Sequence, residues 1–328
     1  MERMRIVEKG SSAEVRHTAD ASPRQAEEAS PWKLGGLSLR ELLRRTWASI
    51  DDDNVVGYAA QLAYYFFLAM FPLLFFVLSL VGLAAHGNPN VRNQLLTYLG
   101  QLVPAAGSQL IATTVEQTTR SSTGLKLILG LLAALWSASA GMSGIESDLN
   151  RVYDVKERPW YKSKPLDVVL TIVVAALTGG ALLLVLFGNH LADTISRAAG
   201  WGGIVNLAWK MLQYPAALFF MIFTYALIYF FAPNVKEQKW HWITPGSVLG
   251  VFLWIVASVA LRVYLHYFNS YAQTYGALGA VVILMLWFYI TGLAILVGAE
   301  INAEIENAAA EHGRADAKLK GERKAPAA

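Results

Sequence analysis

The sequence predicts an all-α membrane protein: a six-transmembrane-helix bundle with both N and C termini cytoplasmic and amphipathic helices at its surfaces. Three observations carry this. The first is composition: of 328 residues, 55% are hydrophobic and only 16% charged, where soluble domains average about 45–50% and about 25%. The second is that the apolar residues fall in long runs. The third is that Lys and Arg flank those runs on one side. The net charge of +3 says little about partners, and the absence of Cys removes disulfide scaffolds, thiol nucleophiles and thiolate metal sites.

A bilayer core of about 30 Å needs about 20 mostly apolar helical residues. Six segments satisfy this, at about 57–85, 125–145, 166–188, 209–232, 243–266 and 277–299. Barrel strands are too short and too strictly alternating to give such runs. Only helices remain as spanning elements, because lipid offers the backbone no hydrogen-bond partners.

Orientation follows from the basic residues. Nine precede the first span, among them Arg40, Arg44 and Arg45. The stretch between spans two and three carries Arg151, Lys156, Arg158, Lys162 and Lys164; that between spans four and five carries Lys236 and Lys239. Five more lie in the C-terminal tail. The other side has Arg92, Arg120 and Arg197, with Lys210 at a boundary. The positive-inside rule places the richer side in the cytoplasm. No signal-peptide pattern precedes the first span, so the expected location is the bacterial cytoplasmic (inner) membrane, multi-pass.

Residues 1–36 are polar and aperiodic and are expected to be a disordered cytoplasmic tail. Residues 37–305 form the membrane domain, and 306–328 a charged cytoplasmic tail. Ser38-Leu39-Arg40-Glu41 is a capping box opening a short helix. Leu39, Leu42, Leu43, Trp47 and Ile50 recur along it at helical spacing. That helix either lies on the membrane surface or packs on the bundle's end, and the two are compatible. The 86–124 segment is too long for a plain turn. Its apolar stripe from Val91 to Val103 and the stretch 108–119 predict one or two amphipathic helices on the outer face, with a smaller one at 189–207.

Ionisable groups in apolar spans are costly and therefore candidates for function. They collect at the cytoplasmic ends. Glu146, Asp148 and Asn150 end span two, and Glu300 ends span six. Asp51, Asp52, Asp53 and Asn54 precede span one, and Gln61 lies about two turns into it. Arg151 and Arg158 can pair with Glu146 or Glu300. The candidate cluster is thus Asp53, Asn54, Gln61, Glu146, Asn150, Arg158 and Glu300. The plainer alternative is carboxylates sitting in water at helix ends, with Gln61 as an interhelical hydrogen bonder. Arg262 and His266, near the outer end of span five, fit snorkelling and interfacial roles.

Pro72 removes a backbone donor in mid-span and is a candidate hinge or kink. Gly246 and Gly250 form a GxxxG packing face. Trp160, Trp209, Trp240, Trp242, Tyr271 and Tyr275 mark an aromatic belt.

Enzyme motifs are missing. None of the six His residues has an HExxH or HxxxH partner, and no phosphate-binding loop or GxSxG elbow occurs. No catalytic residue, metal site or cofactor is expected.

Five short motifs in order resemble the YihY/BrkB family of bacterial inner-membrane proteins. They are Asp51-Asp52-Asp53-Asn54 with Gln61-Leu62-Ala63-Tyr64-Tyr65 and Phe71-Pro72-Leu73; Ser147 to Tyr153 with Arg158-Pro159; Phe231-Ala232-Pro233-Asn234; Tyr275 to Ala280; and Gly298-Ala299-Glu300. The resemblance runs from about 37 to about 305. It implies six spans and signature polar positions at Asp53, Asn54, Gln61, Asn150, Arg158 and Glu300. Some members carry a virulence or serum-resistance label and others a ribonuclease BN label.

The leading expectation is a transporter or flippase-like exporter of an amphiphile or envelope component. The alternatives are a non-catalytic membrane scaffold in envelope maintenance or virulence and, remotely, a membrane-bound ribonuclease. Expected partners are the lipid bilayer, an envelope lipid or small amphiphile, and a homo-oligomer or protein partner, but no nucleic acid.

Overall fold

The computed structural model describes residues 30–84, 124–199, 202–235, 243–267, 277–312 and 317. The expected tail over 1–29, the helices of 86–123, the flanks at 236–242 and the aromatic residues at 271 and 275 lie outside the described residues.

The described chain is helical throughout, with no strand. A one-turn 3-10 segment, Pro31–Gly36, precedes α1 (Leu39–Asp52). Then come α2 (Val55–Ala84), α3 (Gly124–Ala138), α4 (Ala140–Val152) and α5 (Trp160–Ala199). They are followed by α6 (Gly202–Phe231), α7 (Pro245–Tyr267) and α8 (Ala277–Glu311). Six stretches are long and apolar enough to cross a membrane: Val55–Pro72, Ile128–Val152, Trp160–Ala181, Met211–Phe231, Pro245–Tyr267 and Val281–Glu311.

The capping box folds as the sequence indicates. Ser38 is the N-cap of α1, and its hydroxyl accepts from the Glu41 amide at 3.2 Å. Glu41 pairs outward with Arg44 and Arg45, which hold its carboxyl down at about 2. The apolar positions of α1 divide into two faces. Leu42 is buried against Ile301 and Ile305 of α8, whereas Leu39, Leu43 and Trp47 are exposed. The helix is therefore seated on the bundle and still presents an apolar edge.

α8 is the central helix, touching α1, α2, α4, α7 and the 3-10 turn. Its 35 residues reach about 52 Å at about 1.5 Å per residue, well beyond a bilayer core. It does not stop at 305: residues 306–311 are still helical, and Ala308, Ala309 and Ala310 are buried. The small alanine face is where the 3-10 turn sits. Gly35, at φ +64°, lies against the Ile305 carbonyl and the Ala309 amide, a space with no room for a Cβ. Residues 30–36, expected within the polar tail, thus fall among the described residues, with the 3-10 turn packed on α8.

Two further observations concern helix continuity. Residues 189–199 continue α5, and 202–208 begin α6, so no separate short helix forms in these parts of the 189–207 stretch. α2 runs on through Pro72. Span two is interrupted at Ser139, whose hydroxyl donates back to the Trp136 carbonyl at 2.7 Å. Such back-bonding loosens a helix locally.

Close packing on the far side comes from glycine. A Cβ on Gly246 would overlap the Gly298 carbonyl of α8, and one on Gly250 would crowd the Ala294 carbonyl at 3.1 Å. Tyr229 of α6 donates to the Ile295 carbonyl at 2.8 Å, and Asn302 accepts from the Gly246 amide at 2.9 Å. These contacts join α6, α7 and α8 at the end of the bundle that carries α1.

Candidate functional site

α4 and the start of α5 each place polar side chains at i, i+3, i+4 and i+7, which lie on one helix face. On α4 these are Ser143, Glu146, Ser147 and Asn150; on α5 they are Trp160, Ser163, Lys164 and Asp167. The two stripes face each other across a cavity of about 370 Å³, closed at the loop by Glu157 and Arg158.

The loop is fixed by its hydrogen bonds. α6 ends at Phe231 before Pro233 and leaves orphan carbonyls. Arg158 satisfies them: Nη1 donates to the Ala232 carbonyl at 2.6 Å, and Nη2 to those of Pro233 at 2.7 Å and Phe231 at 3.3 Å. Its Nη1 also donates to Glu146 Oε1 at 3.2 Å. Asn150 Oδ1 accepts from the Asn234 amide at 2.7 Å, and Asn234 Nδ2 donates to the Lys156 carbonyl at 2.8 Å. The ends of spans two and four and the intervening loop are thereby locked together.

The deeper wall is less complete. Glu146 Oε2 accepts from Ser163 at 2.6 Å. Asp167 Oδ2 accepts from Ser143 at 2.5 Å, and Lys164 Nζ donates to the same Ser143 hydroxyl at 3.3 Å. Lys164 also lies 5.3 Å over the Trp136 ring. Asp167 is 1% exposed, yet it has no ion pair among the described residues, and its Oδ1 has no hydrogen-bond partner. Asn150 Nδ2, also buried, is likewise unpartnered. A buried carboxylate without a direct ion pair is costly, a cost that the nearby Lys164 offsets only in part. Two buried atoms without partners, one on each of the facing helices that line the cavity, are what a ligand could complete.

Of the seven residues singled out by sequence, the structure brings Glu146, Asn150 and Arg158 to this cavity. The other four do not line it. Asp53 caps the C-terminus of α1. Asn54 takes the left-handed conformation, φ 51°, at the α1–α2 turn, which Asn tolerates better than most residues. Gln61 donates to Tyr65 of its own helix at 3.1 Å. Glu300 is fully buried in α8, near Tyr153, whose hydroxyl is pushed far above its ordinary range by burial, with Glu306 and Glu300 adding to it. Asp148 pairs with Arg151 at 3.3 Å, and Arg151 lies 4.5 Å over the Tyr58 ring.

Charge and depth along the chain pass over Asp167, Ser143, Ser163 and Lys164. The usable signal was the α5 spacing Trp160, Ser163, Lys164, Asp167 at the mouth of an apolar run, matched to the same spacing on α4. Among the described residues, no group of three or more His, Asp or Glu converges as a metal site would require.

Fold and site together define a six-span α-helical membrane protein with a polar cavity at one end of the bundle. Residues 46–322 match the family described as Virulence factor BrkB, and the chain belongs to that family. It is 33% identical over 246 residues to the ribonuclease-like protein YfkH of Bacillus subtilis (strain 168), covering 75% of this chain and 88% of that one. It is 28% identical over 273 residues to a UPF0761 membrane protein of Tolumonas auensis, covering 79% and 83%. A UPF0761 membrane protein of Vibrio cholerae is 28% identical over 278 residues, covering 83% and 88%. No solved structure matches the chain.

Proposed function

We propose that the chain is a transporter of an amphiphile or envelope component, and that the α4–α5 cavity is where the polar part of that molecule binds. The observation that carries this is Asp167: a buried carboxylate on a cavity wall, with one oxygen unpartnered and no ion pair among the described residues. A scaffold would have no use for that cost, whereas a binding site recovers it when ligand arrives. The Lys and Arg distribution supports a cytoplasmic opening for the cavity and insertion in the inner membrane.

The word ribonuclease-like in the name of YfkH raises RNA cleavage. The cavity supports binding better than cleavage. Its Arg158 is already committed to the end of α6, and the described residues gather no metal-holding group.

Reconstitution tests the reading. Vesicles containing the protein and fluorescent phospholipids should move label between leaflets faster than protein-free vesicles, and Asp167→Ala should abolish the difference. Movement no faster than in empty vesicles, for every envelope lipid tried, would remove the transport reading.

A further inference from the structure

We propose that the cavity selects a phosphate-bearing ligand that also carries a primary amine, as the headgroup of an aminophospholipid does. The inference rests on the binding role given to the cavity above and names the ligand it takes. Two charges of opposite sign stand side by side on the α5 wall, close enough to offset one another in part through space but without a direct ion pair. Asp167 and Lys164 have no ion pair among the described residues, and the Ser143 hydroxyl contacts both, at 2.5 and 3.3 Å. A ligand matching this pair is itself a zwitterion, read in the opposite sense.

The cation side is the more demanding. Asp167 Oδ1 needs a donor, and the carboxylate needs a positive charge. Glu146 lies close by, since Ser163 contacts both carboxylates, at 2.6 Å for Glu146 and 3.5 Å for Asp167. Glu146 is ion-paired with Arg158; Asp167 has Lys164 nearby but no direct ion pair among the described residues. A primary ammonium offers three donors on a compact charge, enough for Asp167 Oδ1 and a serine hydroxyl. A quaternary ammonium offers none.

The anion side is Lys164, together with the positive N-terminal end of the 40-residue α5, whose first residue, Trp160, lines the same cavity. Asn150 Nδ2, buried and without a partner, is a further donor available to a phosphate or ester oxygen.

The surroundings favour a lipid as the source. Trp160 is exposed at the rim, and Lys164 rests on Trp136, which is also exposed. Beyond Trp136, Leu129 and Leu132 are exposed on α3, and Val169 and Ile172 on α5. An acyl chain leaving the cavity past these residues meets apolar side chains, in keeping with the aromatic belt expected at a bilayer interface.

The experiment is native mass spectrometry of the full-length protein, delipidated in detergent and titrated with phosphatidylethanolamine, phosphatidylcholine or phosphatidylglycerol. Soluble phosphoethanolamine serves as a competitor. We expect at least tenfold tighter retention of phosphatidylethanolamine than of the other two. Asp167→Asn should erase that preference, and Lys164→Gln should weaken every phospholipid alike. Competition by phosphoethanolamine at concentrations similar to those of the lipid would move the source from membrane to solution and overturn the lipid assignment. Equal retention of all three lipids by the wild type, with loss of all three in Asp167→Asn, would overturn the amine selectivity while leaving a binding cavity. Retention unaffected by either substitution, in variants that elute as the wild type does on size exclusion, would remove the cavity as a binding site and the transport reading with it.

Discussion

The α7–α8 seam and the α4–α5 cavity lie at the same end of one bundle and handle polar groups in opposite ways. At the seam, glycine brings backbones together and side chains of α6 and α8 tie the helices by hydrogen bonds. Tyr229 reaches the Ile295 carbonyl, and Asn302 binds both the Gly246 amide and the Thr244 hydroxyl. At the cavity, helices of similar character stand apart, and Asp167 Oδ1 and Asn150 Nδ2 are left without partners. The lesson is that the seam stabilises and the cavity spends stability. Substitutions should therefore separate the two by which property they change.

The largest effect is expected where the cavity is closed. Arg158→Ala leaves Glu146, 4% exposed as a side chain, without its cation and strips the end of α6 of its donors. Breaking a buried pair this way costs about 3–5 kcal/mol. Thermal unfolding in detergent should show a large fall in Tm, partly restored when Glu146→Gln is added. A fall that the second substitution does not relieve would mean that the carbonyl bonds, not the pair, hold the loop.

Gly246→Ala comes next. Its Cβ has no space beside the Gly298 carbonyl, and overpacking of this kind costs about 1–3 kcal/mol. The expected outcome is a lower Tm with ligand binding unchanged in the fraction that remains folded. Full stability in this variant would show that α7 can shift on α8.

Asp167→Asn should behave in the reverse way. The neutral amide removes a buried charge that Lys164 offsets only in part, so Tm should hold or rise while phospholipid retention changes. Stability gained as function is lost is the pattern of a binding group.

The smallest effect belongs to the surface. Glu41 is partly exposed at the surface, and Arg44 and Arg45 depress its carboxyl from 4.5 to about 2. A depressed carboxylate contributes to stability at neutral pH, and that contribution fades as pH falls from about 4.5 through about 2. Glu41→Gln should remove this acid-side slope and change little at neutral pH, less still in high salt. Circular dichroism melts at several pH values would register it.

Much of the architecture could be read from residue pattern alone. Spans announce themselves by length and apolarity, and Ser38 with Glu41 announces a helix start. The glycine pair at 246 and 250 marks a close contact, although not its partner Gly298. Helix ends were less legible. Ala308–Ala310 keep α8 going among charged neighbours, because a helix already packed along its length needs little further encouragement. The cavity was the least legible feature. Glu146, Asn150 and Arg158 stand out as charged or polar groups at a span end. Asp167 is a single acidic residue in an apolar run, and its meaning depends on Ser143, which is 24 positions earlier in sequence. Only the fold of the loop between α4 and α5 brings the two stripes face to face.

The most direct test of the binding role is the shift in Tm caused by phosphatidylethanolamine in the wild type and in Asp167→Asn. A ligand that binds only the folded state raises Tm by mass action. The account predicts a clear rise for the wild type and none for the variant, whose own Tm without lipid equals or exceeds that of the wild type. The same lipid-induced rise in both proteins, with a lower starting Tm in the variant, would make Asp167 a structural residue and contradict the account.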